Sequence, residues 1–153
     1  MTNEIFIRIA KATDAVVIAQ FNSAMALETE GKALAPERIN SGVKALFDHP
    51  EYGFYLVAEK DGQVAGCLMI TFEWSDWRNG LVWWIQSVYI APAFRRQGIY
   101  RRLYAYVRTL AAEKPNVCGF RLYVEKENHA AQKTYEALGM EETVYKMYEQ
   151  MNG

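Results

Sequence analysis

Gln86–Tyr106 reads QSVYIAPAFRRQGIYRRLYAY, and this stretch decides the fold. An apolar, β-branched and aromatic run passes through Pro92 into Arg95-Arg96-Gln97-Gly98, after which the pattern takes a helical period. A strand that ends in a basic, glycine-containing turn and opens a helix is a phosphate-binding layout. The first N–H groups of such a helix have no intrahelical partner, and its dipole adds roughly half a positive charge there. Glycine lets the backbone approach a ligand closely. Arginine supplies directional donors for phosphate oxygens.

The charge distribution supports a compact anionic ligand. Between Asp76 and Glu113 there is no acidic residue, while Arg78, Arg95, Arg96, Arg101, Arg102 and Arg108 add six positives. The net charge is only −1, so the rest of the chain carries −7. A local basic site on an acidic body suits a small anion. A broad nucleic-acid surface would make the whole domain basic.

The 153 residues fit one domain, 1–153, large enough to build a core without staples. A hydrophobic share of 51% with 23% charged residues argues against disorder. Cys67 and Cys118 are too few for a disulfide framework and are expected to be reduced core residues. No apolar run approaches the roughly 20 residues needed to span a bilayer. The charged N-terminus lacks a secretory pattern, so a cytoplasmic location is expected. Neither His49 nor His129 has partners at metal-ligand spacing, and no metal is expected.

Working outward, Glu4–Ile9 reads as a first strand. Asp14 is the expected N-cap of a helix through about Glu28, with Val17, Ile18, Phe21, Ala24 and Met25 on one face. Pro36 opens a second helix, which His49-Pro50 ends. Gly53–Glu59 and Val64–Glu73 read as strands joined by an Asp61-Gly62 hairpin turn. Leu81–Ile90 is the next strand, and Gly98–Glu113 a helix with Ile99, Leu103, Val107 and Leu110 inward. Phe120–Glu125 follows as a strand, then a helix capped by Asn128 and closed by Gly139, then a last strand at Val144–Glu149.

This order resembles the GCN5-related N-acetyltransferase (GNAT) superfamily. That family's signature, Arg/Gln-x-x-Gly-x-Gly/Ala, matches Arg95-Arg96-Gln97-Gly98-Ile99-Tyr100, with Tyr100 departing from the preferred small residue. A second signature matches Leu122-Tyr123-Val124-Glu125, Asn128, Tyr135 and Leu138-Gly139-Met140. The resemblance implies an α/β (α+β) chain with the GNAT fold. Such a fold has a central, mostly antiparallel mixed sheet of six to seven strands, four helices, and splayed fourth and fifth strands.

It also implies acetyl-CoA as donor and CoA as product. The pantetheine arm would lie along Val88, Tyr89 and Ile90 as an added strand. The diphosphate would sit at Arg95, Arg96, Gln97, Gly98, Ile99, Tyr100 and Arg101. Asn128 would touch the pantetheine arm, and Tyr135 would protonate the departing thiolate as general acid.

The acceptor implied is a primary amine, which must be neutral to attack. With a pKa of about 10.4 the neutral form costs roughly 4.6 kcal/mol at pH 7. Several relatives place an acidic residue on the fourth strand, where this chain has Gln86, which cannot act as a base. Glu28 is a candidate partner for a substrate ammonium, and Trp74 a candidate aromatic wall. These features favour a small amine acceptor, with exposed aromatic residues available for a homodimer. Two other readings stand beside this one. The missing fourth-strand acid fits a non-catalytic acyl-CoA-binding or regulatory module. The arginine-rich aromatic stretch fits single-stranded RNA binding, against which the small net charge argues.

Overall fold

The computed structural model of the protein describes residues 4–153. Contacts divide it into two compact units, one ending at Leu122 and the other spanning Tyr123–Gly153.

The first unit is a sheet with helices on both faces. In chain order it contains β1 (Phe6–Ile9), α1 (Ala15–Glu30), α2 (Pro36–Asp48), β2 (Gly53–Lys60), β3 (Gln63–Ser75), β4 (Gly80–Ile90), α3 (Ile99–Ala112) and β5 (Val117–Arg121). The strands lie in the order β1-β2-β3-β4-β5. All neighbours are antiparallel except β4 and β5, which run parallel. The mixed, mostly antiparallel sheet and its helices match the expected fold class. The strand count is five, a correction to the expected six to seven.

Local chemistry explains the joints. Asp61 and Gly62 both take left-handed backbone, with φ of 53° and 77°, the geometry of the tight turn that matches strand twist. Helix α1 stops at Gly31, whose left-handed backbone sends its N–H to the Leu27 carbonyl at 3.1 Å. Asp14 stands at the N-cap position of α1 as expected, but its side chain makes no cap bond. Its carboxylate is drawn instead to the Lys11 N–H at 2.7 Å and to the Arg8 guanidinium.

Two cores fill the unit. Against α1 and α2, the sheet contributes Tyr55, Val57, Cys67 and Tyr89 to a cluster with Ile18, Val43 and Leu46. On the opposite face, Trp83 is 1% exposed and meets Phe54, Phe72 and Phe120, while Tyr104 of α3 stacks edge-on to Phe120. Trp84 points the other way, as neighbours on a strand must. Cys67 is buried as expected, but Cys118 is exposed.

The second unit holds α4 (His129–Ala137). Asn128 caps it, accepting the Ala131 N–H at 3.2 Å. Gly139 follows with φ of 96°. Two expectations fail around it. The strand read at Phe120–Glu125 lies earlier, at Val117–Arg121, because the Lys114–Val117 turn delivers the chain directly into the sheet. Val144–Glu149 forms no strand, although Val144, Tyr145 and Tyr148 are good strand formers and are exposed. Strand formation requires a neighbouring strand, and among the described residues of this unit none is present.

Candidate functional site

The site begins with a defect in β4. Gln86 pairs with Met69 and Tyr89 with Cys67, so Ser87 and Val88 together face Leu68 alone. This is a β-bulge, with Ser87 at φ 52° and its carbonyl 3.8 Å from the Cys67 thiol. The extra residue shifts the side-chain alternation by one. Without it Tyr89 would point to the α3 face; with it Tyr89 joins Gln86 on the face covered by α1 and α2.

There Tyr89 is 7% exposed, packs on Phe21 and donates its hydroxyl to Glu28 Oε1 at 3.1 Å. Burial is the main cause that raises its pKa, and the Glu28 carboxylate adds to it. The other Glu28 oxygen accepts from Arg95 at 2.9 Å. Arg95 also donates Nε–H to the Ile90 carbonyl at 2.8 Å, and its guanidinium lies 5.3 Å from the centre of the Tyr89 ring. The Arg95 hydrogen bond holds the Glu28 carboxyl below its ordinary pKa. The side chain expected on a diphosphate is therefore turned back onto the carboxylate expected on an amine.

From Ile85 onward, through the bulge, β4 outruns its parallel neighbour. The ladder to β5 extends from Leu81↔Val117 to Trp84↔Arg121. Ile85–Ile90 thus lies past the end of that ladder, in keeping with splayed fourth and fifth strands.

The loop after β4 then makes a left-handed step at Arg96, φ 65°, and another at Gly98, φ 77°, which caps α3. Arg102 is the first residue whose N–H closes a helical ring, onto the Gly98 carbonyl at 3.1 Å. The N–H groups of Ile99, Tyr100 and Arg101 leave the helix end without intrahelical acceptors. Gln97 accepts from Lys60. Arg102 is tied to the Ile5 carbonyl, whereas Arg96 and Arg101 are exposed. Tyr100 turns its ring along α3 toward Tyr104, at 6.3 Å between centres.

Gln86 is half-buried and donates to the Thr71 hydroxyl at 2.6 Å. On the same face Glu73 accepts from Trp84 Nε1 at 2.9 Å and from Arg121 at 2.7 Å. The Trp84 bond is the leading cause of its lowered pKa. This carboxylate was missed in the sequence, since its partners come from two other strands, β4 and β5. Trp74 is not brought to the site: it pairs with Leu81, roughly 25 Å along the sheet from Tyr89. A cleft of about 520 Å³, lined by Phe54, Phe72 and Trp83 among others, also lies elsewhere. It includes Glu113 and Lys114 past the end of α3, roughly 20 Å from Gly98.

In the second unit, Tyr135 of α4 is half-buried, and burial raises its pKa. Its phenol therefore keeps its proton at neutral pH. Among the described residues no cluster of three or more His, Cys, Asp or Glu is arranged to hold a metal. No helix there is long and apolar enough to cross a membrane.

Comparison with known proteins bears on the family and the fold. Residues 19–140 match the acetyltransferase (GNAT) family model. A crystal structure of a possible acetyltransferase from Clostridium difficile 630 is 46% identical, with 97% of each chain covered and a TM-score of 0.90. A ribosomal-protein-alanine N-acetyltransferase assignment in Bacillus subtilis (strain 168) is 33% identical over 96 residues, or 63% of this chain. The match spans 58% of the length of that curated relative. An aminoglycoside N-acetyltransferase in complex with CoA shares the fold at 17% identity, with a TM-score of 0.81 over 100% of this chain and 98% of that one.

Proposed function

Because the chain belongs to the acetyltransferase (GNAT) family, we propose that it is an acetyl-CoA-dependent N-acetyltransferase acting on a primary amine of a small molecule. The observation that carries this reading is the junction of β4 and α3. A strand freed from its parallel neighbour runs directly into a left-handed, glycine-capped helix start with exposed arginines. The first element suits main-chain pairing with a pantetheine arm, along Val88–Ile90. The second suits a diphosphate, on the N–H groups of the Arg95–Arg101 loop. The CoA complex of the aminoglycoside enzyme accords with this use of the shared fold.

The chemistry follows from the residues. A neutral amine attacks the thioester carbonyl, forming the C–N bond as the C–S bond breaks. Tyr135 donates its phenolic proton to the leaving sulfur, and the amine's surplus proton passes to water. Gln86 cannot accept it, and its amide is engaged by Thr71. Asn128 caps α4 and adds a polar contact to the pantetheine arm. Glu28 holds the acceptor's positive end. A cytoplasmic setting supplies acetyl-CoA.

The test is thiol release from acetyl-CoA across a panel of small amines. Tyr135→Phe is expected to lower kcat by about 10²-fold or more, the range for a positioned acid, while CoA affinity stays near wild type. Wild-type CoA binding without transfer to any amine would favour the second reading, a non-catalytic acyl-CoA module. The observation behind that reading is the absence of an acid at Gln86 on β4.

A further inference from the structure

The Glu28 cluster has the make-up of a cation site. A carboxylate, an aromatic face and a main-chain carbonyl converge on one positive group. That group is the chain's own Arg95, which the acyl-CoA reading also requires at the diphosphate. One guanidinium cannot serve both places.

We propose that Glu28, the Tyr89 ring and the Ile90 carbonyl form a recognition site for a cationic amine, which Arg95 fills until a CoA diphosphate draws its guanidinium away. The inference rests on the acetyl-CoA reading above and adds that the chain's own Arg95 occupies the acceptor's cation site until the diphosphate is bound. Cofactor enters first; its diphosphate recruits Arg95; the vacated carboxylate and ring then admit a primary ammonium. The bulge at Ser87 is what makes this arrangement available, since it turns Tyr89 toward Glu28.

Magnitudes favour the exchange. The Glu28 and Arg95 side chains are 41% and 43% exposed. An exposed ion pair of this kind is worth at most about five-fold in an equilibrium constant. A diphosphate offers Arg95 a doubly charged partner with bidentate geometry beside a helix N-terminus. The self-made contact is thus strong enough to compete with a weakly bound amine and weak enough to yield to the cofactor. Tyr89 keeps its hydrogen bond to Glu28 throughout, so the carboxylate stays oriented after Arg95 leaves.

Calorimetric titration with CoA and with pantetheine, which lacks the diphosphate, tests the exchange. Glu28→Gln is expected to tighten CoA by up to about five-fold and to leave pantetheine unchanged. The gain should vanish in an Arg95→Ala background. A saturation-transfer NMR titration with butylammonium tests the site: wild type should bind the probe up to about five-fold more weakly without CoA than with it, and Arg95→Ala should bind it without CoA as tightly as wild type does with CoA. Unchanged CoA affinity in Glu28→Gln, or an equal shift for pantetheine, overturns the exchange. Failure of Arg95→Ala to bind butylammonium more tightly than wild type without CoA overturns the cation site. A wild-type protein that binds no CoA at all defeats the acetyl-CoA reading instead, so the two failures are distinct.

Discussion

The Arg8 guanidinium holds Asp14 through two nitrogens, at 2.7 and 3.0 Å, while its Nε donates to Glu59 at 2.7 Å. One side chain thereby ties β1 to the turn before α1 and to β2. Asp14 is only 7% exposed, and the Arg8 contact is the chief reason its carboxyl stays below its ordinary pKa. Asp14→Asn should cost about 1–3 kcal/mol in urea denaturation. The pH dependence has a definite sign. A depressed folded pKa stabilises fully above the unfolded value of about 3.9 and is lost as pH falls through the folded value. The wild type should therefore lose its advantage over Asp14→Asn below about pH 4. A difference that stays constant down to pH 2 would deny the ion pair that role.

Ser87 carries a backbone conformation that a side chain makes costly. Its φ of 52° lies in the left-handed region, worth roughly 1–2 kcal/mol against a non-glycine residue. Ser87→Gly should accordingly raise the melting temperature, and Ser87→Val, branched at Cβ, should lower it. A stabilising valine would mean that the bulge is absent in solution.

Gly98 separates conformation from crowding. A Cβ there would meet nothing within 4 Å, yet φ is 77°. The penalty of Gly98→Ala is therefore purely torsional, about 1–2 kcal/mol. Gly98→Asn should cost less, since asparagine tolerates this region. On the acyl-CoA reading both variants keep their fold by circular dichroism, and alanine weakens CoA more than asparagine. Equal CoA affinity in all three proteins would remove the helix start from the site.

The tryptophans should divide sharply. Trp83→Ala empties the centre of an aromatic cluster and is expected to cost about 3–5 kcal/mol. Trp77 is 92% exposed, and Trp77→Ala should stay within about 0.5 kcal/mol of wild type. Comparable losses in the two variants would misplace the core.

What could be read from the chain and what could not divide along physical lines. Local rules sufficed where the signal is local: the Asp61-Gly62 turn, Pro36 opening α2, Asn128 capping α4, and the Gly98 helix start. Asp14 misled because a cap residue is also a carboxylate, and a nearby arginine outbid the helix for it. The Ser87 bulge leaves no mark in composition, so the face taken by Tyr89 was invisible. Glu73, Trp84 and Arg121 meet only because three strands align. The strand expected at Val144–Glu149 had the right residues and no strand within its own unit to pair with. Arg95 was placed by pattern on the diphosphate; the pattern carried no notice of Glu28.

The two cysteines differ in a way that gives the molecule a built-in folding gauge. Burial pushes the Cys67 thiol up to about 12 and shields it between helix and sheet, whereas Cys118 is open to reagent. A maleimide applied to the native protein should add a single label, and the second should arrive only as the sheet opens. Counting labels by mass then reports the unfolded fraction of any variant in a mixture, with no dye, engineered residue or assay of turnover.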